Sequence, residues 1–345
     1  MNGQPTPEHT SGPGSSDQAG ESGPPQNPAS PNQAAPNADP ADGALVGVNL
    51  EPALLRACDG RLSELTWFRT GWQRGGALTG YASYQADDGA ATPVVVKLPV
   101  PPVERGWLVR LGAYEDVVPA VLAHGDALNG YDMAWVVMER LAHGPLGPAW
   151  QGAEFDLLVE AVGRFYAAAA NFPVTDPRPQ RDWVEVLQHC RRHVSATASE
   201  HQSRWNRALR QAQKKMPKWL DAWHARATDQ WCHGDLHLGN AMARQPAPQG
   251  PALLFDFALT HPGHWLEDAI YFEHLYWSQR ARLGDRRLCR QIAHERRRLG
   301  LGVEKDWSEL ARVRRALVAI SVPLAVEAGD RPSDAALEVL EREVG

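Results

Sequence analysis

Cysteine is scarce in this chain. Its 345 residues hold four, Cys58, Cys190, Cys232 and Cys289, and no two stand at C-x-x-C spacing. That scatter gives neither a disulfide framework nor a zinc site, and a reducing cytoplasm is the expected setting. Long apolar runs are missing as well. The longest, Ala316 to Val326 with one Ser and one Pro inside it, falls far short of the roughly 20 residues a membrane helix needs. No basic stretch followed by an apolar block opens the chain, so neither membrane association nor secretion is expected. Positive charge is not in excess: 35 Lys and Arg against 41 Asp and Glu leave a formal net charge of -6, which argues against a nucleic-acid partner. Residues 1–43 have no aromatic side chain and almost no aliphatic one larger than Ala. Such a segment cannot bury enough apolar surface to offset its ordering entropy and reads as a disordered tail.

What remains is ordinary for a globular protein, with 43% hydrophobic and 22% charged residues, enough for a sizeable core. One local departure is the arginine run from Arg280 to Arg298, read as the solvated face of a single helix.

From about Ala44 to Leu141 the pattern suggests a small sheet-rich lobe. Trp67-Phe-Arg-Thr-Gly, Gly75-Gly-Ala-Leu-Thr-Gly-Tyr-Ala-Ser-Tyr and Thr92-Pro-Val-Val-Val-Lys97 read as strands separated by Gly-rich or Asp-Asp-Gly turns. The two-residue period of a strand puts Val95 and Lys97 on one face, so an ammonium stands at the edge of an apolar pocket where phosphates would fit. A carboxylate on the next helix should pair with it, and Glu104 and Glu115 are the two candidates. Arg74-Gly-Gly-Ala-Leu-Thr-Gly80 is a candidate phosphate-covering turn without being a G-x-G-x-x-G match. Next comes the apolar strand Met133-Ala-Trp-Val-Val-Met-Glu-Arg-Leu141, which runs into Gly144 and Pro145. Beyond it the period changes to 3.6. Phe155, Leu158, Val159, Val162, Phe165 and Tyr166 form one helical stripe, and Trp307, Leu310, Val313, Leu317 and Ile320 another, with Asp306 and Glu309 spaced as a capping box.

The most informative segment is Trp231-Cys-His-Gly-Asp-Leu-His-Leu-Gly-Asn240, followed by Leu253-Leu-Phe-Asp256-Phe. Phosphoryl transfer from a metal-nucleotide needs a carboxylate to take the proton of an attacking hydroxyl, and Asp235 supplies it. It also needs oxygen donors to hold the metal, and Asn240, with Asp256 at the end of a short apolar strand, supplies those. His233, Asp235, Leu236 and Asn240 fit the kinase loop pattern H-x-D-L-x-x-x-N, and Asp256-Phe257 fits the start of D-F-x. A competing chemical reading takes His233, Asp235, His237, Asp256 and Asp268 as ligands of a hydrolytic metal centre. It lacks the D-x-H upstream and the G-H-x-H downstream that such centres use.

These residues resemble the aminoglycoside phosphotransferase and choline kinase group of small-molecule kinases, whose loop reads H-G-D-x-H-x-x-N; His237 is the second histidine of that pattern. The resemblance implies an α+β, protein-kinase-like bilobal fold. Its parts would be the tail at 1–43, a β-rich nucleotide-binding lobe at 44–141 and a helical catalytic and substrate-binding lobe at 142–345. It implies ATP and Mg2+ as cofactors and a small-molecule hydroxyl acceptor as partner. Asp235 and His237 would be catalytic, Asn240 and Asp256 would hold the metal, and Lys97 with Glu104 would contact the nucleotide. The hinge backbone near Met138, Glu139 and Arg140 would meet the adenine ring, and Asp268 would hold the catalytic loop. Trp265, Glu267, Tyr271, Phe272, Glu273, Tyr276 and Trp277 mix aromatics with carboxylates, a composition suited to a cationic amine or amino sugar. The alternatives are a catalytically silent nucleotide-binding scaffold on the same fold and a metal-dependent phosphoesterase.

Overall fold

The computed structural model describes residues 50–68, 77–114, 116–148, 150–175, 179–325 and 331–345. The expected tail, the expected start near Ala44, residues 74–76 of the Gly-rich turn and Glu115 lie outside them.

Residues 50–57 form a first helix, α1. Five strands follow: β1 (Leu62–Phe68), β2 (Leu78–Gln85), β3 (Ala91–Leu98), β4 (Val121–Gly125) and β5 (Trp135–Glu139). They make an antiparallel sheet in the order β1-β2-β3-β5-β4. Alternation along β3 decides which face meets which layer. Val94, Val96 and Leu98 are fully buried in a small core with Leu54, Trp135 and Val137. Val95 and Lys97 stand on the opposite face, where Val95, Val136 and Met138 join the large core of the rest of the protein.

Helix α2 (Pro102–Leu111) enters between β3 and β4. Its first residue is a proline, whose missing amide and fixed φ suit the first helical turn. Trp107, Leu108 and Leu111 bury one side of it, and it packs against the 3-10 turn Phe257–Leu259 that follows Asp256.

The remaining helices, α3 (Ala153–Ala169), α4 (Trp183–Ala196), α5 (Gln202–His224), α6 (Leu266–His274), α7 (Arg280–Leu283), α8 (Leu288–Arg298), α9 (Trp307–Ser321) and α10 (Arg331–Val344), form the larger lobe. Two short two-stranded sheets are set among them. β6 (Gln230–Cys232) pairs with β9 (His261–Gly263), and β7 (Ala241–Ala243) pairs with β8 (Ala252–Leu254). All six residues of the α3 stripe are buried. Phe155, Phe165, Phe257, Phe272 and Trp265 are the largest fully buried side chains, each stabilising the fold by about 1.5–3 kcal/mol through lost apolar surface.

Two expectations for the helices are corrected. The arginine run is not one helix: the chain breaks after α7, where Gly284 takes φ +57, and resumes in α8. Nor is the run all solvated. Arg296 is 3% exposed, donating to Gln230 and the Gly302 carbonyl and lying over the rings of Tyr166 and Trp265. Asp306 precedes α9 but makes no side-chain cap; its backbone carbonyl accepts from Glu309 instead.

Candidate active site

Three segments that are far apart in sequence are brought together below the sheet. Cys232 ends β6, and the chain then turns sharply at Gly234, whose φ is +85 and where a Cβ would lie 2.1 Å from the Leu259 carbonyl oxygen. Only glycine fits that turn. Asp268, in the first turn of α6, fixes it from below. Its carboxylate accepts from the His233 and Gly234 amides, each at 2.8 Å, and from the Tyr166 hydroxyl at 3.0 Å. His233 is fully buried. Its Nδ1 accepts from the Asp235 amide at 3.3 Å, so Nε2 carries the proton and donates to the Phe255 carbonyl at 3.1 Å. Burial dominates and lowers the His233 pKa, which keeps the ring neutral in this bracing role.

The β7–β8 hairpin performs the next placement. With Ala241 opposite Leu254, and the Phe255 amide donating to the Asn240 carbonyl at 3.2 Å, Asn240 and Asp256 leave the same end of the hairpin. The Asn240 side-chain amide donates to the Asp235 backbone carbonyl at 3.0 Å and to Asp235 Oδ2 at 3.1 Å. Among the described residues no hydrogen bond engages its carbonyl oxygen. Asp256 sits in the left-handed region at φ 62, ψ 61, a conformation that costs a non-glycine residue of order 1 kcal/mol or more. Its side chain is 41% exposed, which leaves the carboxylate open to the cleft.

From above, Lys97 projects off β3. Its Nζ lies 2.6 and 2.8 Å from the two carboxylate oxygens of Glu104 and 3.8 Å from Asp256 Oδ1. Glu104 is 1% exposed. Burial and the nearby Asp256 raise its pKa, against the pull of Lys97. Lys97, Glu104, Asp235, Asn240 and Asp256 are thus linked by contacts through two chains of partners that meet at the β7–β8 end.

His237 turns inward as well. Its Nδ1 accepts from the Gly239 amide at 2.9 Å, and its Nε2 faces Asp235 Oδ2 at 3.6 Å. Burial alone would raise the Asp235 carboxyl; His237 and the Tyr271 hydroxyl outweigh it and hold the pKa at about 2. The Asp235 carboxyl is therefore ionised at neutral pH.

Elsewhere the placement differs from the reading of the sequence. Met138 is buried, in register with Val95 on one side and Val121 on the other. The Glu139 amide donates to the Ala120 carbonyl, the Arg140 amide to the Pro93 carbonyl, and the Glu139 carboxylate holds Arg244 at 2.7 and 2.9 Å. Those two amides are already engaged. The first amide past them with no hydrogen bond among the described residues is that of Leu141. The aromatic and carboxylate set after Asp256 is also largely engaged. Glu267 pairs with Arg226 at 3.0 Å, and Glu273 holds Arg315 through both oxygens at 2.7 and 2.9 Å. Trp265, Phe272 and Tyr276 are core residues. Neither carboxylate has charge to spare for a cationic acceptor.

Two contacts escaped the sequence reading, which names Tyr271 only within the aromatic and carboxylate set. Tyr271, from α6, donates to Asp235 Oδ1 at 2.5 Å. Tyr81, opposite Val95 and so on the Lys97 face, stacks on Phe68 at 4.2 Å and lies under the Arg140 guanidinium at 3.8 Å. The alternation in β2 was a usable signal for the second; nothing in the local pattern announces the first.

The hydrolase arrangement finds no support. Asp268 and both ring nitrogens of His233 are bonded within the protein, and among the described residues no group of three or more His, Cys, Asp or Glu could hold a metal ion.

Residues 79–326 match the model of a phosphotransferase enzyme family. The solved structure of a proposed aminoglycoside phosphotransferase from Ralstonia eutropha JMP134 is 15% identical, with a TM-score of 0.52 over 85% of this chain and 97% of its own. A thermostable mutant of the aminoglycoside phosphotransferase APH(4)-Ia, in ternary complex with AMP-PNP and hygromycin B, is 15% identical with a TM-score of 0.50, over 86% and 98%. A microcompartment-associated aminopropanol kinase is 15% identical with a TM-score of 0.49, over 81% and 90%. The likeness at this identity is one of fold, the protein-kinase-like fold. No curated protein sequence matches the chain.

Proposed function

We propose, from the premise that this chain belongs to the phosphotransferase enzyme family, that it transfers the γ-phosphate of Mg-ATP to a hydroxyl group of a small molecule. The observation that carries this reading is the convergence of Asp235, Asn240 and Asp256 at one end of the β7–β8 hairpin, with Lys97 3.8 Å from Asp256.

The donor set suits magnesium. Asn240 Oδ1 and the Asp256 carboxylate are hard oxygen donors, and magnesium is commonly held by one or two such protein groups with phosphate and water filling its remaining positions. Bound there, it would neutralise charge on the phosphate oxygens. The protein's own contributions are positional. Lys97, held by Glu104, would contact the nucleotide phosphates. Val95 and Met138 offer an apolar surface on the same face for a purine ring, and the Leu141 amide is a donor available at its edge. Asp235 would accept the proton of the attacking hydroxyl. Because the transition state of phosphoryl transfer needs little covalent help, this placement of charge is the catalytic device.

Glu104→Gln tests the upper part of the site. It keeps the shape and removes the charge that fixes Lys97, so the KM for ATP should rise about tenfold, as expected for one lost charge-assisted hydrogen bond. An unchanged KM for ATP would separate Lys97 from nucleotide binding. The whole reading is tested by calorimetric titration with Mg-AMP-PNP, together with ADP release across aminoglycosides, amino alcohols and sugars. Absence of nucleotide binding sinks it. Nucleotide binding with no turnover on any hydroxyl compound would favour the silent scaffold.

A further inference from the structure

The two oxygens of the Asp235 carboxylate are in different positions. Oδ2 accepts from the Asn240 amide at 3.1 Å and faces His237 at 3.6 Å. Oδ1 has one partner among the described residues, the Tyr271 hydroxyl at 2.5 Å. Tyr271 stands three residues after Asp268, and such a pair shares a helix face. That face of α6 therefore grips the catalytic loop twice. Asp268 binds the amides of His233 and Gly234, and Tyr271 binds the side chain of the next residue. The first contact is on backbone and shapes the turn. The second is on the atom that does chemistry.

Burial does not force that second contact. Tyr271 is only part-buried, and a bond from its hydroxyl to water would be nearly as good as one to the protein. A base that takes a proton from an acceptor must offer that acceptor an oxygen. With Oδ2 held by Asn240, the oxygen on offer is Oδ1, and the group sitting on it is itself a hydroxyl making the bond an acceptor would make.

We infer that Tyr271 is a placeholder for the acceptor: it covers Oδ1 while no acceptor is bound, denies that oxygen to water, and yields it to the incoming hydroxyl. This rests on the kinase reading above. The reaction it suppresses is hydrolysis. A water on Oδ1 would give its proton to Asp235 while its oxygen bonds to the γ-phosphorus and the bond from that phosphorus to the β,γ-bridging oxygen breaks, releasing ADP and inorganic phosphate.

Tyr271→Phe keeps the ring and its contact with His274, whose ring centroid is 5.1 Å away, and removes only the hydroxyl. ADP release from Mg-ATP without any acceptor should rise about tenfold over wild type, equivalent to one displaced hydrogen bond. Tyr271→Leu, which also lacks the hydroxyl, should behave alike, and adding Asp235→Asn should return the rate to that of Asp235→Asn alone. Loss of the fold would lower ADP release, not raise it. Release at the wild-type rate in both Tyr271 variants overturns the inference. So does phosphate found on Tyr271 by mass spectrometry after incubation with ATP, which would make the phenol an acceptor. Failure of the kinase reading itself is seen separately, as wild-type protein that binds no Mg-AMP-PNP in calorimetry.

Discussion

Replacing Asp235 by Asn is expected to lower kcat by about a thousandfold and to leave the affinity for Mg-AMP-PNP within about twofold of wild type, because a positioned general base contributes 10²–10⁴ to the rate and nothing to ground-state nucleotide binding. The substitution keeps the size of the side chain. It takes away the proton acceptor and turns one oxygen into a donor. The pH dependence follows from how the carboxyl is held. Burial opposes its ionisation, but His237 and Tyr271 more than compensate and hold the pKa at about 2. The folded value lies below the ordinary 3.8, so the ionised group stabilises the fold above about pH 4, and that contribution is lost as pH falls through about 2. Protonation of Asp235 therefore puts no acid limb on kcat/KM between about pH 5 and 9. The checks are ADP release against pH with a competent acceptor and titration calorimetry on the variant. Retention of more than about a tenth of wild-type kcat would remove Asp235 from the base's role.

The loop from His233 to Asn240 was legible in the sequence because its chemistry demands particular residue types at fixed spacing along one segment. Lys97 and Val95 on one strand face, and the α3 stripe, were legible because strand and helix periods dictate them. Pairing of Lys97 with Glu104 was legible as one of two options; the fold places Glu104 against the ammonium, while Glu115 lies outside the described residues. What could not be read is what depends on which segments meet. The 36-residue separation between Tyr271 and Asp235 leaves no periodic trace, and the engagement of the Glu139 and Arg140 amides depends on where Ala120 and Pro93 fall in the sheet. Composition misled at Glu267 and Glu273, where carboxylates beside aromatics suggested a cation site. Their partners, Arg226 and Arg315, come from the segment just after α5 and from α9. The arginine run misled similarly: the left-handed turn at Gly284 splits it, and a glycine inside a helical pattern does not by itself say whether the helix continues.

Removing Asp268 should be the most damaging change to the fold of the site. Asp268→Ala is expected to destabilise the protein by about 3–5 kcal/mol, since it leaves the two amides of His233 and Gly234 and the Tyr166 hydroxyl without their acceptor in a buried place, at about 1–3 kcal/mol each. The carboxylate is 1% exposed, so water does not easily replace it. It also stands in the first turn of α6, where a negative charge meets the positive end of the helix dipole. Asp268→Asn should cost less. One amide oxygen would still serve the two donors now on Oδ2, His233 and Tyr166, but the amino group would then face the Gly234 N–H, donor against donor. Tyr166→Phe removes a single donor and should cost about 1 kcal/mol. Thermal unfolding should therefore rank the variants Tyr166→Phe, Asp268→Asn, Asp268→Ala in order of falling Tm, the last by about 10 °C. The contrast with Asp235 is the informative part. Asp235→Asn should lose turnover with a smaller fall in Tm than Asp268→Ala, since it gives up the stabilising charge of Asp235 but leaves the turn braced. Asp268→Ala should lose both, because that carboxylate binds both backbone amides of the turn that aims Asp235. An Asp268→Ala protein with wild-type Tm and turnover would show that the Gly234 turn keeps its shape through the chain's own conformational limits and not through the bonds from α6.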